Sequence, residues 1–165
     1  MAVKQISSNI DELNTLHAMH AWLPNEDMIR PNNDDLFIKR HVMREIRDDW
    51  IDLYHYILHT IFNLEYALIA KKKFVPDSSN LPEWTFQESL FRYNLPQETN
   101  HYVLWFSKYN YEDGKTSIDS ETINAILCSE IRSKTNEFNY AWYINPKPSV
   151  TDFFHVQVFW IVCSL

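Results

Sequence analysis

Three short aromatic-rich runs decide the fold that this sequence predicts. They are NHYVLWFSKY (100–109), FNYAWYINP (138–146) and TDFFHVQVFWIV (151–162). Aromatic and β-branched residues are enriched in strands, so each run predicts one strand. A helical pattern separates the first run from the second, and a short proline-containing turn separates the second from the third. We therefore expect a parallel pair joined by a crossover helix, followed by an antiparallel hairpin.

The crossover helix is indicated by a cap and by apolar spacing. Ser117 or Asp119 would cap its start, and it would continue to about residue 136. Its buried face would consist of apolar residues at steps of three and four, namely Ile123, Ile126, Leu127 and Ile131. The segment YEDGK (111–115) before this helix predicts a turn, in which Gly114 would supply a positive φ.

The chain before the first strand has a helical character. Ser8, followed three residues later by Asp11, predicts a helix start, and Pro24 ends the apolar pattern that follows. Further on, Pro82 is suited to the first turn of a short helix that would end at Leu90.

The longest helical pattern lies between these two segments. No proline or glycine occurs from residue 34 to residue 74, and apolar residues recur there at helical spacing. We expect one long helix with a break near residues 38–42, or two helices. The lysines at 71–73 would lie at the helix C-terminus, where the helix dipole favours positive charge.

These elements predict an α+β fold in a single domain, residues 1–165. A helical part (8–92) would pack on a small mixed sheet of three strands or slightly more (100–163), with one crossover helix. Hydrophobic residues make up 45% of the chain, which is enough for a core without disulfides. Cys128 and Cys163 are too few for a disulfide framework, and we expect both to be reduced and buried.

Composition excludes several classes of function. The single glycine excludes glycine-rich phosphate loops, because each such loop needs at least two glycines. A formal charge of −7 argues against a nucleic-acid partner. The start of the chain lacks the apolar core of a signal peptide, and no apolar run is long enough to span a membrane. We therefore expect a cytoplasmic protein without a membrane partner.

Two histidines are the candidate catalytic residues. Along the third strand, His155 and Gln157 alternate on the side opposite to the predicted core residues, which are Phe154, Val156, Val158, Trp160 and Val162. His101 begins the first strand. In a suitable register the two imidazoles would face one another or lie diagonally. They would then act as general acid and base, or donate hydrogen bonds to a phosphate.

Other side chains would complete a small-ligand pocket on the sheet. Gln157 would orient the ligand, and Trp105 and Trp142 would stack against it. Such a pocket would suit a sugar, a nucleotide sugar or another phosphate-bearing ligand. The alternative interpretation of the histidines is structural, with half-buried rings bonded to backbone carbonyls near strand starts. No motif names a reaction or a cofactor, so the enzyme class stays open.

Two other functions are compatible with the sequence. The spacing of Asp52, His55 and His59 places potential metal ligands on one helix face, and His17 and His20 would complete the site. This helix face lies almost opposite the apolar stripe through Trp50, Leu53 and Ile57, which favours a solvated, charged helix face over a metal site. The aromatic content instead favours a non-catalytic interaction or assembly subunit, because aromatic residues often anchor protein interfaces.

The C-terminal part also resembles a fungal, protist and viral domain of unknown function typified by the N-acetylglucosamine-induced protein of yeasts. The motifs that carry the resemblance are Asn94-Leu95-Pro96, His101 opening a V-L-W strand, Trp142-x-x-Asn145-Pro146, and His155-Val156-x-Val158. The resemblance implies a cytosolic protein linked to amino-sugar metabolism, with His101 and His155 as site residues. Gln157 stands where the family often has another histidine. Asn145, in the W-x-x-N-P turn, completes our candidate ligand-binding residues.

Overall fold

The computed structural model describes residues 33–93, 95 and 97–163, so the helix predicted between Ser8 and Pro24 lies outside the described residues. The described chain contains helices α1 (Asn33–Asp49), α2 (Leu53–Thr60), α3 (Tyr111–Ser117) and α4 (Ser120–Arg132). Its strands are β1 (Ala67–Ile69), β2 (Lys72–Phe74), β3 (Trp84–Glu88), β4 (Asn100–Phe106), β5 (Phe138–Tyr143) and β6 (Phe154–Val162). The predicted α+β class is confirmed.

The break between the first two helices falls at residues 50–52, not near residues 38–42 as predicted. Asp52 explains this position. Its backbone is extended, and its Oδ1 accepts the backbone N–H of His55 at 2.9 Å. A side chain that satisfies a free N–H at a helix start acts as an N-cap, so Asp52 begins α2.

Residues 61–74, predicted as the end of a long helix, instead contain the antiparallel hairpin β1–β2. The prediction that the lysines at 71–73 lie at the C-terminus of that helix is therefore wrong. The Nζ of Lys72 donates to the carbonyls of Arg47 and Asp48 at the end of α1, at 2.8 and 2.7 Å. The lysine therefore reaches the open carbonyls from a neighbouring strand and not from the same helix.

The main sheet has the strand order β3–β4–β6–β5, and all three pairs are antiparallel. As expected for a strand–helix–strand unit, β4 and β5 run in the same direction. However, β6 lies between them, so the sheet is antiparallel and not mixed. The predicted β5–β6 hairpin is present. Strand β3 occupies the segment predicted as a short helix, because pairing with β4 and packing of Trp84 and Phe86 on the core outweigh local preference.

Gly114 lies inside helix α3, where we predicted a turn with a positive φ. Its φ is not positive. A Cβ at this position would overlap the side chain of Phe154 on β6. Glycine is therefore required because α3 lies directly against the sheet, and not because of the backbone conformation.

Hydrophobic clusters cover both faces of the main sheet. One face packs on α4, which begins at the predicted cap Asp119 and buries three of its predicted apolar residues: Ile123, Leu127 and Ile131. The other face packs on α1 and α2 through residues that include Ile57, Val103 and Trp105. Cys128 and Cys163 are free but only half-buried. Within the described ranges, no helix is long and apolar enough to cross a membrane.

Candidate functional site

The two candidate histidines lie on the same face of neighbouring strands, as the alternation predicted, but their rings do not meet. In the β4–β6 register, His101 is opposite Phe159 and His155 is opposite Trp105. The two positions are therefore four residues apart along the strands, about 13 Å at the usual rise per residue. The hypothesis that the two imidazoles act as one acid–base pair is wrong for this arrangement.

His101 is a satisfied interior side chain, only 1% exposed. Its Nδ1 accepts the backbone N–H of Tyr93 at 3.3 Å, so its proton is on Nε2, which lies 2.6 Å from Oε1 of Gln157. The ring is held between those of Tyr93 and Phe159, with centroids at 4.6 and 4.8 Å. Every polar atom of this imidazole therefore has a partner within the protein.

Burial decides the charge of His101. Desolvation disfavours the imidazolium and lowers the pKa of His101 to about 4, with a smaller lowering by Arg92. The hydrogen bond with Gln157 acts in the opposite direction but does not compensate. The ring is therefore neutral at pH 7, and it is unsuited to act as a general acid there.

His155 has a similar environment on the other strand. It is 5% exposed, and its Nδ1–H donates to the carbonyl of Phe153 at 2.9 Å. Its ring stacks on that of Trp105 at 4.4 Å. Burial lowers the pKa of His155, against the opposing effect of the bond to Phe153. This contact with a backbone carbonyl at a strand start matches the structural interpretation of the histidines.

The other predicted ligand-binding residues are divided between the two faces of the sheet. Gln157 and Trp105 lie with the histidines, as described above. Trp142 lies on the opposite face, where it is buried and its Nε1 donates to Oδ1 of Asn124 at 2.8 Å. The prediction that Trp142 stacks in the same pocket is therefore wrong.

Asn145 stabilises the turn after β5. Its Oδ1 accepts the backbone N–H of Lys147 at 3.0 Å, and its carbonyl accepts the hydroxyl of Tyr111. These bonds join the β5–β6 turn to helix α3. They give Asn145 a structural role, whereas we predicted it as a ligand-binding residue.

The alternative metal site is not assembled. The Oδ1 of Asp52 caps α2, Nδ1 of His55 accepts the N–H of Val75 at 3.0 Å, and Nδ1 of His59 lies 2.7 Å from the carbonyl of Leu64. Within the part of the chain that the structure describes, no cluster of three or more histidine, cysteine or acidic residues could hold a metal ion. His17 and His20 lie outside the described residues.

Two tyrosines that sequence reasoning missed complete the surroundings of His101. The hydroxyls of Tyr93 and Tyr143 are 3.2 Å apart, and the ring of Tyr143 stacks on Phe159. Burial and the neighbouring Tyr93 raise the pKa of Tyr143. The alternation of β5 placed Tyr143 on the histidine face, but no pattern in the irregular segment around Tyr93 indicated that it covers His101.

The hairpin β1–β2 is anchored by an aromatic cluster around a lysine. The Nζ of Lys73 lies 5.6 Å from the ring of Trp50 and 5.4 Å from that of Tyr66. The ring of His59 is 5.3 and 5.0 Å from these same two rings. Glu45, at 4.0 Å, is the ion-pair partner of Lys73. The cation–π contacts fix Lys73 on Trp50 and Tyr66, while the ion pair with Glu45 and the ring contacts of His59 connect this cluster to α1 and α2.

The fold and site define an α+β protein whose antiparallel sheet is covered by helices on both faces. No protein-family model matches the chain, and no curated protein matches it. Among solved structures, the chain is similar to one titled "Crystal Structure of HTC1", at 12% sequence identity and a TM-score of 0.46. The match covers 94% of this chain and 83% of that chain. A likeness this distant says nothing about function.

Proposed function

We propose that this chain is a cytoplasmic, non-catalytic interaction module that binds a protein partner through the hairpin β1–β2 and the adjoining helix α1. The supporting observation is the distribution of exposed apolar side chains. Nine large apolar residues of the described chain are exposed, and seven of them fall between residues 37 and 69. They are Phe37, Ile38, Met43, Ile51, Tyr66, Leu68 and Ile69. Three of them, Tyr66, Leu68 and Ile69, lie in or directly before the hairpin, and neighbouring exposed apolar side chains of this kind are typical of an interaction site.

The hairpin turn supports the same proposal. Ala70 and Lys71 form a two-residue loop with φ values of 47° and 69°. Such loops favour glycine or asparagine, and a left-handed conformation costs other residues about 1–2 kcal/mol each. Backbone strain of this kind accumulates at functional sites. The strained turn presents Leu68 and Ile69, which are 65% and 56% exposed.

The proposal is also consistent with the state of the histidines. Both rings are buried by other side chains, and burial lowers the pKa of each, which favours a packing role over proton transfer. A scaffold of this kind leaves recognition to the surface of the helical half.

The exposed side chains of the hairpin can be tested by substitution. We expect the double variant Leu68→Ser/Ile69→Ser to lose partner proteins that the wild-type chain captures from extracts of cells that express it. Because both side chains are exposed, the free energy of unfolding should change by less than about 0.5 kcal/mol per site. Quantitative mass spectrometry of the captured proteins, with a thermal melt of each variant, provides the measurement.

Val162→Ser is the matched control, since Val162 is 52% exposed at the end of β6, outside the proposed surface. This variant should retain the partners. Identical captured proteins for wild type, hairpin variant and control would contradict the proposal.

A second candidate function, binding of an amino sugar or a nucleotide sugar beside His101, is favoured by the polar cluster of His101, Gln157, Tyr93 and Tyr143. The resemblance to the N-acetylglucosamine-induced protein domain suggests the ligand class. A ligand would have to displace the ring of Tyr93.

For this candidate we expect N-acetylglucosamine or its uridine diphosphate derivative to raise the melting temperature of the wild type. Gln157→Leu should abolish that rise, because the amide would orient the ligand. The exposed-site variant Val162→Ser should leave it unchanged. If neither compound shifts the wild-type melting temperature, the candidate fails.

A further inference from the structure

Helix α1 carries most of its arginines on one exposed face, and Asp48 lies beside Arg44 and Arg47 at the edge of that face. Residues three and four apart on a helix share a face. The basic face carries Leu36, Arg40, Met43, Arg44 and Arg47 at this spacing. The face almost opposite carries Asp34 and Glu45. The face between them contains Val42 and Ile46 and packs on the core.

The basic face forms a groove along α1. Six residues line it: Leu36, Lys39, Arg40, Met43, Arg44 and Arg47. Arg47 pairs with Asp48 at 2.8 Å, and Lys39 lies over the ring of Phe91 at 5.9 Å. Arg40 and Arg44 have no ion pair with any residue in the described ranges, and both are exposed.

The groove therefore combines two apolar side chains with guanidinium groups that are available for pairing. Arginine binds carboxylates in a fixed two-pronged geometry, which suits it to recognition of acidic side chains. From residue 36 to residue 47 the stripe is about 17 Å long, or roughly three helical turns.

From this arrangement we infer that the α1 groove binds an acidic amphipathic helix of a partner protein, about three turns long. Apolar residues of that helix would cover Leu36 and Met43, and glutamate or aspartate residues beside them would pair with Arg40 and Arg44. The inference rests on the proposed function, because it names the kind of partner that the interaction module binds.

The charge distribution favours an acidic polypeptide over nucleic acid or an anionic membrane. The chain carries a formal charge of −7, and the other side of α1 carries acidic residues. A long polyanion or a flat anionic surface extends well beyond the groove, where the net negative charge of the chain would repel it. A narrow helix contacts the basic face alone.

The test is a binding titration of the full chain with a synthetic helical peptide of about 14 residues. The peptide carries leucines at helical spacing with glutamates beside them, and a second peptide has lysine at every glutamate position. We expect saturable binding of the acidic peptide below about 100 µM, weakened about tenfold at high salt, and no binding of the basic peptide. No saturable binding of the acidic peptide, or equal binding of both peptides, would overturn the inference.

Charge reversal locates the site. Arg40→Glu/Arg44→Glu should weaken binding of the acidic peptide at least tenfold and create binding of the basic peptide. The matched control is Arg132→Glu/Lys147→Glu, which makes the same change in net charge at exposed positions outside the groove. The control should bind the acidic peptide as the wild type does. An equal loss in both double variants would show a general charge effect and would overturn the assigned site.

Other occupants give distinct results. Tighter binding of a thymidine oligonucleotide or of phosphatidylserine vesicles than of the peptide would overturn the choice of partner. A dimer in sedimentation that dissociates in Arg40→Glu/Arg44→Glu would identify a second copy as the occupant. If Asp11→Lys/Glu12→Lys increases peptide affinity, the chain's own acidic residues occupy the groove. Each of these results leaves the hairpin experiment unaffected, so failure here is separable from failure of the proposed interaction function.

Discussion

The free energy of unfolding should fall by about 3 kcal/mol as the pH is lowered from 6.5 to 4, because burial makes His101 harder to protonate in the folded chain than in the unfolded chain. An unfolded histidine has a pKa near 6.5, whereas the folded pKa of His101 is about 4. Between these values the unfolded chain binds more protons than the folded chain. The neutral ring thus contributes its full stabilisation above pH 6.5, and the contribution is lost as the pH falls to 4.

The size of this effect follows from the difference between the two pKa values. Each pH unit in the window removes up to about 1.4 kcal/mol for one such group. His155, whose pKa is also lowered by burial, makes the loss steeper. Chemical denaturation curves at a series of pH values between 4 and 8 provide the measurement.

The variant His101→Gln isolates the contribution of this ring, because its amide N–H can still donate to Oε1 of Gln157. Its stability should depend less on pH between 6.5 and 4, even if the variant is less stable at pH 7. The control His41→Gln removes an exposed histidine of α1 and should keep the wild-type slope. If His101→Gln leaves the dependence of the free energy of unfolding on pH unchanged, the pKa of His101 is not lowered by burial.

Gly114→Ala should lower the free energy of unfolding by about 3 kcal/mol, although alanine is the better helix former. The Cβ would overlap Phe154, which is fully buried in the core under α4. Helix α3 must then move away from the sheet, or the phenyl ring must leave its position. The loss in melting temperature should be about 8 °C for a chain of this length. Differential scanning calorimetry provides the measurement.

Two comparisons separate steric overlap from a general effect on α3. Ser117→Ala, at the exposed end of the same helix, should change the stability by less than about 0.5 kcal/mol. In the double variant Gly114→Ala/Phe154→Leu, the total loss should be smaller than the sum of the single losses by at least about 1 kcal/mol. Strict additivity of the two substitutions would mean that the Cβ does not meet Phe154.

Features set by local chemistry were predictable from the sequence. Asp119 caps α4 because a carboxylate can accept a free backbone N–H at a helix start, and the period-two pattern of β6 fixed the face on which His155 lies. Features set by distant contacts were not predictable. The hairpin β1–β2 and strand β3 replace segments with helical patterns, since pairing with other strands and the contacts of Lys72 and Lys73 stabilise them.

The candidate site shows the same limit. Alternation correctly placed His101 and His155 on one face, but only the register of β4 and β6 determines how far apart they are. The side chain that covers His101 comes from Tyr93, in an irregular segment without a periodic pattern. The exposed apolar hairpin likewise depends on a turn whose residues, Ala70 and Lys71, do not favour it locally.

The central claim is that the histidine face of the sheet is filled interior and that recognition belongs to the helical half. An NMR titration of the ring nitrogens and carbons of His101 tests it most directly. We expect the neutral tautomer with the proton on Nε2 to persist down to about pH 5, with a midpoint near 4. A midpoint near 6.5, with ring protons exchanging rapidly with water, would contradict the claim and return His101 to the list of accessible catalytic groups.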